Sequence, residues 1–206
     1  MQELLSITGR SIHLAPTPPE LPAVYYIADR EVGGILVNTP PFSAALLEEL
    51  QRLAPLRFIF LPSRHGAHDL DAWREASGAE ALAYEAEVAA VAGTIDLPLN
   101  TKTKLTRTID FLPMSGRTEG SCALRLKNKP GAVFFGPILN PGEDGWPTLI
   151  EAPDDHSFES RLFGALGLQD IKYEYAFTDE FEPGRTQFGP GADGAIRERI
   201  DRALGL

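Results

Sequence analysis

The sequence predicts an α/β protein in which two mixed β-sheets face each other and carry helices on their outer sides. Three observations lead there. The predicted elements run β-hairpin, α, β, α, β, α, then a series of antiparallel strands, then α, β, α, and that mixed order argues against a plain doubly wound sheet. One predicted strand, Phe58-Ile59-Phe60-Leu61, is wholly apolar, as expected of a strand covered on both faces. The chain has 206 residues, of which 43% are hydrophobic and 23% charged. That length can bury roughly 70% of the unfolded chain's surface, and the composition excludes wholesale disorder. A single domain over 1–206 is the expectation.

Each element has a local reason. Ala23-Val24-Tyr25-Tyr26-Ile27-Ala28 is rich in β-formers and Ile35-Leu36-Val37-Asn38 is its return strand, with turn chemistry at Asp29-Arg30-Glu31 and Gly33-Gly34. Residues 23–38 therefore read as a hairpin, ended by Pro40-Pro41. Ser43 can cap a helix whose apolar stripe is Leu46, Leu47, Leu50 and Leu53, and Pro55 stops it. After the strand 58–61 comes the polar stretch Ser63–Asp69. A second helix is predicted from about Asp71 through Trp73 to Ala76, closed by Gly78. Residues 81–84 read as a strand and 85–91 as helical. Strands are predicted at 94–97, 106–112, 122–126 and 132–135. Asp154 or Asp155 is the expected cap of a helix with Phe158, Leu162, Phe163 and Leu166 on its core face. A strand at 171–177 follows, then a final helix opened by Asp193 and carrying Ile196, Ile200 and Leu204. The stretch Pro16-Thr17-Pro18-Pro19-Glu20-Leu21-Pro22 reads as an irregular surface excursion.

Charge and cysteine count exclude several functions. The net charge is −10, from 29 acidic and 19 basic residues, and such a surface repels a phosphate backbone, so no nucleic-acid partner is expected. The only cysteine is Cys122, which rules out an internal disulfide and a thiolate zinc cage. No stretch approaches the ~18 consecutive apolar residues of a membrane span. The N-terminal residues lack the basic region and apolar core of a signal peptide, so no membrane partner and a cytoplasmic location are expected.

Several motifs stand at informative places. Gly34-Ile35-Leu36-Val37-Asn38-Thr39-Pro40 precedes the first helix. The buried strand 58–61 leads into a His/Asp loop, then an acidic helix start with Trp73, then Gly78-Ala79-Glu80-Ala81-Leu82-Ala83-Tyr84-Glu85. Gly116-Arg117-Thr118-Glu119-Gly120-Ser121 and Val133-Phe134-Phe135-Gly136-Pro137 follow. Over roughly residues 22–140 this pattern resembles the metallo-β-lactamase fold superfamily; the last third resembles it only in helix–strand–helix order. The resemblance implies a four-layer αβ/βα sandwich. In that family the loop after the buried strand carries His-x-His-x-Asp-His, followed later by Gly-His-x-x-Gly-Ser, a strand-end Gly-Asp and a last His, which together hold two metal ions.

Carried over residue by residue, most ligands are lost. In one register the four loop positions fall on Arg64, Gly66, His68 and Asp69, and none matches. In the other they fall on His65, Ala67, Asp69 and Leu70, and only His65 and Asp69 match. Arg117 stands at the Gly-His position and Pro137 at the Gly-Asp position, and no His follows His156. A guanidinium stays protonated and cannot ligate. The four His, at 13, 65, 68 and 156, fall short of the usual dinuclear centre. The resemblance therefore implies a degenerate, non-catalytic member, a pseudoenzyme with a vestigial or anion-binding pocket and no metal cofactor. Its pocket candidates are Arg64, His65, His68, Asp69 and Arg117, and its expected ligand is a small anion. Arg117 is expected to pair with Asp69 or to bind the anion.

Two alternatives stay open. One is a divergent metal-dependent hydrolase with a single zinc or iron ion on His65, His68 and Asp69. The other is a scaffold or interaction subunit with a closed pocket. Asp69 or Asp71 can also simply cap the next helix. Cys122 reads as a buried thiol at a strand start, and Asp154-Asp155-His156 as a helix N-terminus. No oligomeric state is legible.

Overall fold

A computed structural model describes residues 1–205. The first half builds a seven-stranded sheet. Its strands are β1 (Gln2–Ile7), β2 (Arg10–Ala15), β3 (Val24–Asp29), β4 (Gly33–Val37), β5 (Leu56–Leu61), β6 (Glu80–Tyr84) and β7 (Leu97–Leu99), in that spatial order. The first four pair antiparallel, and β4 through β7 pair parallel. Between them lie α1 (Ala44–Leu53) and α2 (Leu70–Ser77). Parallel neighbours need a crossover; α1 and α2 supply the first two, and the connection from β6 to β7 contains a 3-10 turn at Glu85–Ala90.

The second sheet has four strands: β8 (Ile109–Pro113), β9 (Cys122–Leu126), β10 (Ala132–Gly136) and, after the short β11 (Asn140–Pro141) and β12 (Pro147–Thr148), β13 (Tyr175–Thr178). Its order is β13-β10-β9-β8, with β10 and β13 parallel. Helix α3 (Phe158–Leu166) precedes β13, and α4 (Ala192–Leu204) follows it.

Side-chain alternation sorts the apolar residues into three layers. Tyr25 and Ile27 of β3, Phe60 of β5 and Leu82 of β6 point inward and meet Phe111, Leu124, Phe134 and Phe177 of the second sheet. Their neighbours Val24, Tyr26, Ile59 and Leu61 point outward, against Leu46, Leu47 and Leu50 of α1 and Leu70 and Trp73 of α2. Val133, Phe135 and Ala176 point outward from the second sheet, against Ala165 of α3 and Ile196 and Ile200 of α4. A period of two with both faces apolar is what a doubly covered sheet requires. The result is the αβ/βα sandwich that the resemblance implied.

Several local expectations need correction. The N-terminal hairpin β1–β2 extends the first sheet and was not predicted, because β1 is largely exposed and lacks an apolar run. Ser43 caps α1 as expected, accepting from Leu46 N. The α3 cap is Ser157, whose side chain accepts from Ser160 N, rather than Asp154 or Asp155. Residues 85–90 form a 3-10 turn. The strands expected at 94–97, 106–112 and 171–177 begin later, at Leu97, Ile109 and Tyr175. Among the described residues no helix is long and apolar enough to cross a membrane.

Candidate functional site

Four strands of the two sheets end at the same edge. β4 runs into Asn38, β5 into Pro62 and Ser63, β10 into Pro137, and β13 into Asp179. The sheets are stitched there by main chain: Ala23 N donates to Asp179 O at 2.7 Å, and Cys122 N to Pro62 O at 2.9 Å. Beside this seam opens a cavity of about 1130 Å³. Its walls are the Pro-rich segment 14–23, His65, His68, Arg117, residues 140–142 and the segment 179–183 with Arg185 and Thr186. The segment read as a surface excursion thus forms one wall.

The His loop is held from below. Ser63 is buried, and its hydroxyl accepts from His65 N at 3.3 Å, shaping the turn Arg64–Gly66. Gly66 O accepts from Thr39 N at 2.8 Å, and His68 N donates to Thr39 Oγ1 at 2.9 Å. Gly66 has to be glycine: a Cβ there would sit 1.8 Å from Asn38 Oδ1. Glu87 ties this loop to the next. Its fully buried carboxylate accepts from Arg64 N at 2.7 Å and from Gly120 N at 2.9 Å. One side chain therefore joins the two segments that, in the family resembled, meet around metal ions.

Arg117 reaches the same edge, but its partner is not Asp69. The guanidinium donates to Asp154 Oδ2 at 3.0 Å and to Asp154 O at 3.3 Å, and lies 3.5 Å from Asp155 Oδ1. Asp155 in turn accepts from the buried Arg161 at 2.6 Å. The expected Arg117–Asp69 pair is corrected accordingly. Asp69 takes a left-handed backbone (φ 48°), and its carboxylate accepts from Phe42 N at 3.0 Å. That bond points Asp69 toward the α1 entry and away from the cavity. Arg64 offers its backbone N–H to Glu87, while its side chain is exposed and off the cavity wall. Of the five predicted pocket residues, His65, His68 and Arg117 line the cavity, and Arg64 and Asp69 do not.

Electrostatics follow from this packing. Burial, reinforced by Arg117 and Arg64, holds the His65 ring below the ordinary histidine value. The hydrogen bond from Arg117 holds Asp154 below the ordinary aspartate value. Burial pushes the Cys122 thiol well up, as for an inert core cysteine.

Sequence reasoning missed three side chains: Glu87, Asn38 and Asp179. Asn38 has a left-handed backbone (φ 63°), one of two non-glycine residues to do so among the described residues. Its amide donates to Ala23 O at 2.9 Å and to Asp179 Oδ1 at 2.7 Å. Asp179 is 9% exposed and lines the cavity. Desolvation pushes its carboxyl up to about 7, against the opposing hydrogen bond from Asn38. The one available sequence signal was Asn38 itself, since asparagine tolerates the left-handed region at a strand end.

The donor set does not fit a two-zinc centre. Arg117 and Pro137 offer no ligand, Asp69 faces elsewhere, and among the described residues no three His, Cys, Asp or Glu side chains converge on a point.

No protein-family model matches this chain, and no curated protein sequence does. Solved structures do match. A metallo-β-lactamase from Pontibacter korlensis aligns with a TM-score of 0.71 at 14% identity, over 100% of this chain and 97% of that one. BJP-1, a subclass B3 metallo-β-lactamase of Bradyrhizobium japonicum, aligns at 0.66 and 15% identity, over 100% and 94%. A metallo-β-lactamase from Cronobacter sakazakii described by a HARLDQ motif aligns at 0.67 and 12% identity, over 100% and 93%. At these identities the likeness speaks for architecture, and on that architecture the chain is a protein of the metallo-β-lactamase fold.

Proposed function

We propose that this protein is a pseudoenzyme of its fold, which binds a small anionic ligand in the edge cavity by direct side-chain contact. The observation that carries the reading is Arg117. It occupies a position where the resembled family has a metal ligand, and it lines the cavity together with His65 and His68. Its anchoring by Asp154 fixes the guanidinium plane before any ligand arrives, and a fixed planar donor suits a carboxylate or phosphate. The open cavity also weighs against a scaffold with a closed pocket.

Thermal unfolding with added phosphate or small carboxylates tests this. A ligand at 100 times its dissociation constant should stabilise the protein by about 2.7 kcal/mol, and Arg117→Ala should remove most of that gain. If no anion shifts the unfolding temperature, and the protein instead binds zinc stoichiometrically and hydrolyses esters or amides, the proposal fails.

A further inference from the structure

The cavity wall opposite in charge to Arg117 is the C-terminal end of β13. Asp179 there is fixed on every side but one. Its N–H donates to Gly136 O at 2.9 Å, its C=O accepts from Ala23 N, and its Oδ1 accepts from Asn38. Asn38 is itself locked by its second amide proton on Ala23 O and by the close approach of Gly66. The remaining oxygen, Asp179 Oδ2, is buried and has no hydrogen-bond partner. Buried carboxylate oxygens nearly always have one, and the residue that carries this one lines the cavity. His68 Nε2, on the same cavity, is likewise buried and without a partner.

The charges around Asp179 favour a cation beside it. Glu180 follows it in sequence, and Arg117 is the cationic group that acts on it. Tyr25, packed below, spends its hydroxyl proton on Thr178 O at 2.6 Å. Glu182 is already paired with Arg185 at 3.1 Å. Arg117 hydrogen-bonds Asp154 and makes no ion pair with Asp179, so neither arginine pairs with Asp179 directly.

We infer that Asp179 is a ligand-contacting residue that accepts an ammonium group, so that the ligand is a small zwitterion of the amino-acid class, its anionic group toward Arg117. This rests on the reading of the cavity as an anion-binding site and specifies the other half of the ligand. A charge-assisted hydrogen bond in a site of this burial is worth about 10- to 100-fold in affinity.

The test is calorimetric titration of the full chain with a panel of amino acids, each paired with its des-amino acid, such as glutamate with glutarate. The wild type should bind at least one amino acid about tenfold or more tighter than its des-amino partner. Asp179→Asn should erase that preference and keep des-amino binding. Titration of the wild type at pH 6.5 in two buffers of different ionisation enthalpy is a second readout that needs no variant. An ammonium on Asp179 should release protons on binding, whereas an anion alone should take them up. Equal or tighter des-amino binding, with proton uptake, overturns the inference and leaves the anion site standing. If neither class binds, the anion-site reading and this inference fall together.

Discussion

Two buried carboxylates flank the cavity edge, and they are built in opposite ways. Glu87 is fully buried and accepts two backbone N–H bonds, one from each loop it joins. Asp179, which lines the cavity, accepts one amide N–H and leaves its second oxygen buried without a partner. The backbone donors satisfy the first charge and make it a cross-link. The second charge is under-satisfied, which destabilises the isolated fold and suits it to a ligand. The difference lies in the partners each finds, since both are carboxylates at the same edge of the sandwich.

The largest effect that can break this comparison is the pH dependence of Asp179. Its carboxyl is raised from an ordinary value of about 3.9 to about 7 in the fold. Between those values the folded state holds the proton that the unfolded state has lost. Its contribution is therefore fully present below about pH 3.9, falls as pH rises, and is gone above about pH 7. That interval corresponds to roughly 4 kcal/mol. Denaturant unfolding of wild type and Asp179→Asn from pH 4 to 8 should show the variant gaining on the wild type by an amount of that order. Parallel pH profiles would mean that Asp179 is as satisfied as Glu87.

Next comes Glu87. Glu87→Ala leaves the N–H groups of Arg64 and Gly120 without acceptors, at about 1–3 kcal/mol each. The expected loss is about 3 kcal/mol, read from the unfolding midpoint. Glu87→Gln, which keeps one acceptor oxygen, should lose roughly half as much. Equal losses in the two variants would show that the fold needs the volume of the side chain and not its acceptors.

The smallest expected effect is that of Arg117 on stability. Its hydrogen-bonded partner Asp154 is 63% exposed, ion pairs of that kind are worth about 0–1 kcal/mol, and the buried Asp155, 3.5 Å from Arg117, keeps its own bond from Arg161 when Arg117 is removed. Arg117→Ala should therefore cost less than 1 kcal/mol without ligand while weakening anion binding. A loss near that of Glu87→Ala would make Arg117 a structural strut.

This contrast also explains what was legible in the sequence. The apolar stripes of Leu46, Leu47 and Leu50 and the run Phe58–Leu61 mark their elements locally, and those elements stand where expected. The turn at Gly116-Arg117 and the loop at His65 were traceable because the resemblance to the metallo-β-lactamase fold superfamily placed them. Asp179 was not traceable, because its burial depends on Asn38, 141 residues away, and on closure of two sheets. Glu87 lay inside an alanine-rich stretch whose sequence says nothing of the two loops it would meet. Asp69 illustrates the converse. The resemblance put it in the pocket, and in the fold, where its backbone is left-handed, its carboxylate accepts from Phe42 N.

The central claim is that the cavity binds its ligand through protein side chains without a metal. Amide NMR of the full chain, titrated with the best-binding amino acid in the presence of excess chelator, tests it most directly. The account predicts saturable shifts concentrated at 65–68, 117–118 and 179–182, with the chelator making no difference. Shifts that vanish with chelator and return only on adding zinc would contradict it.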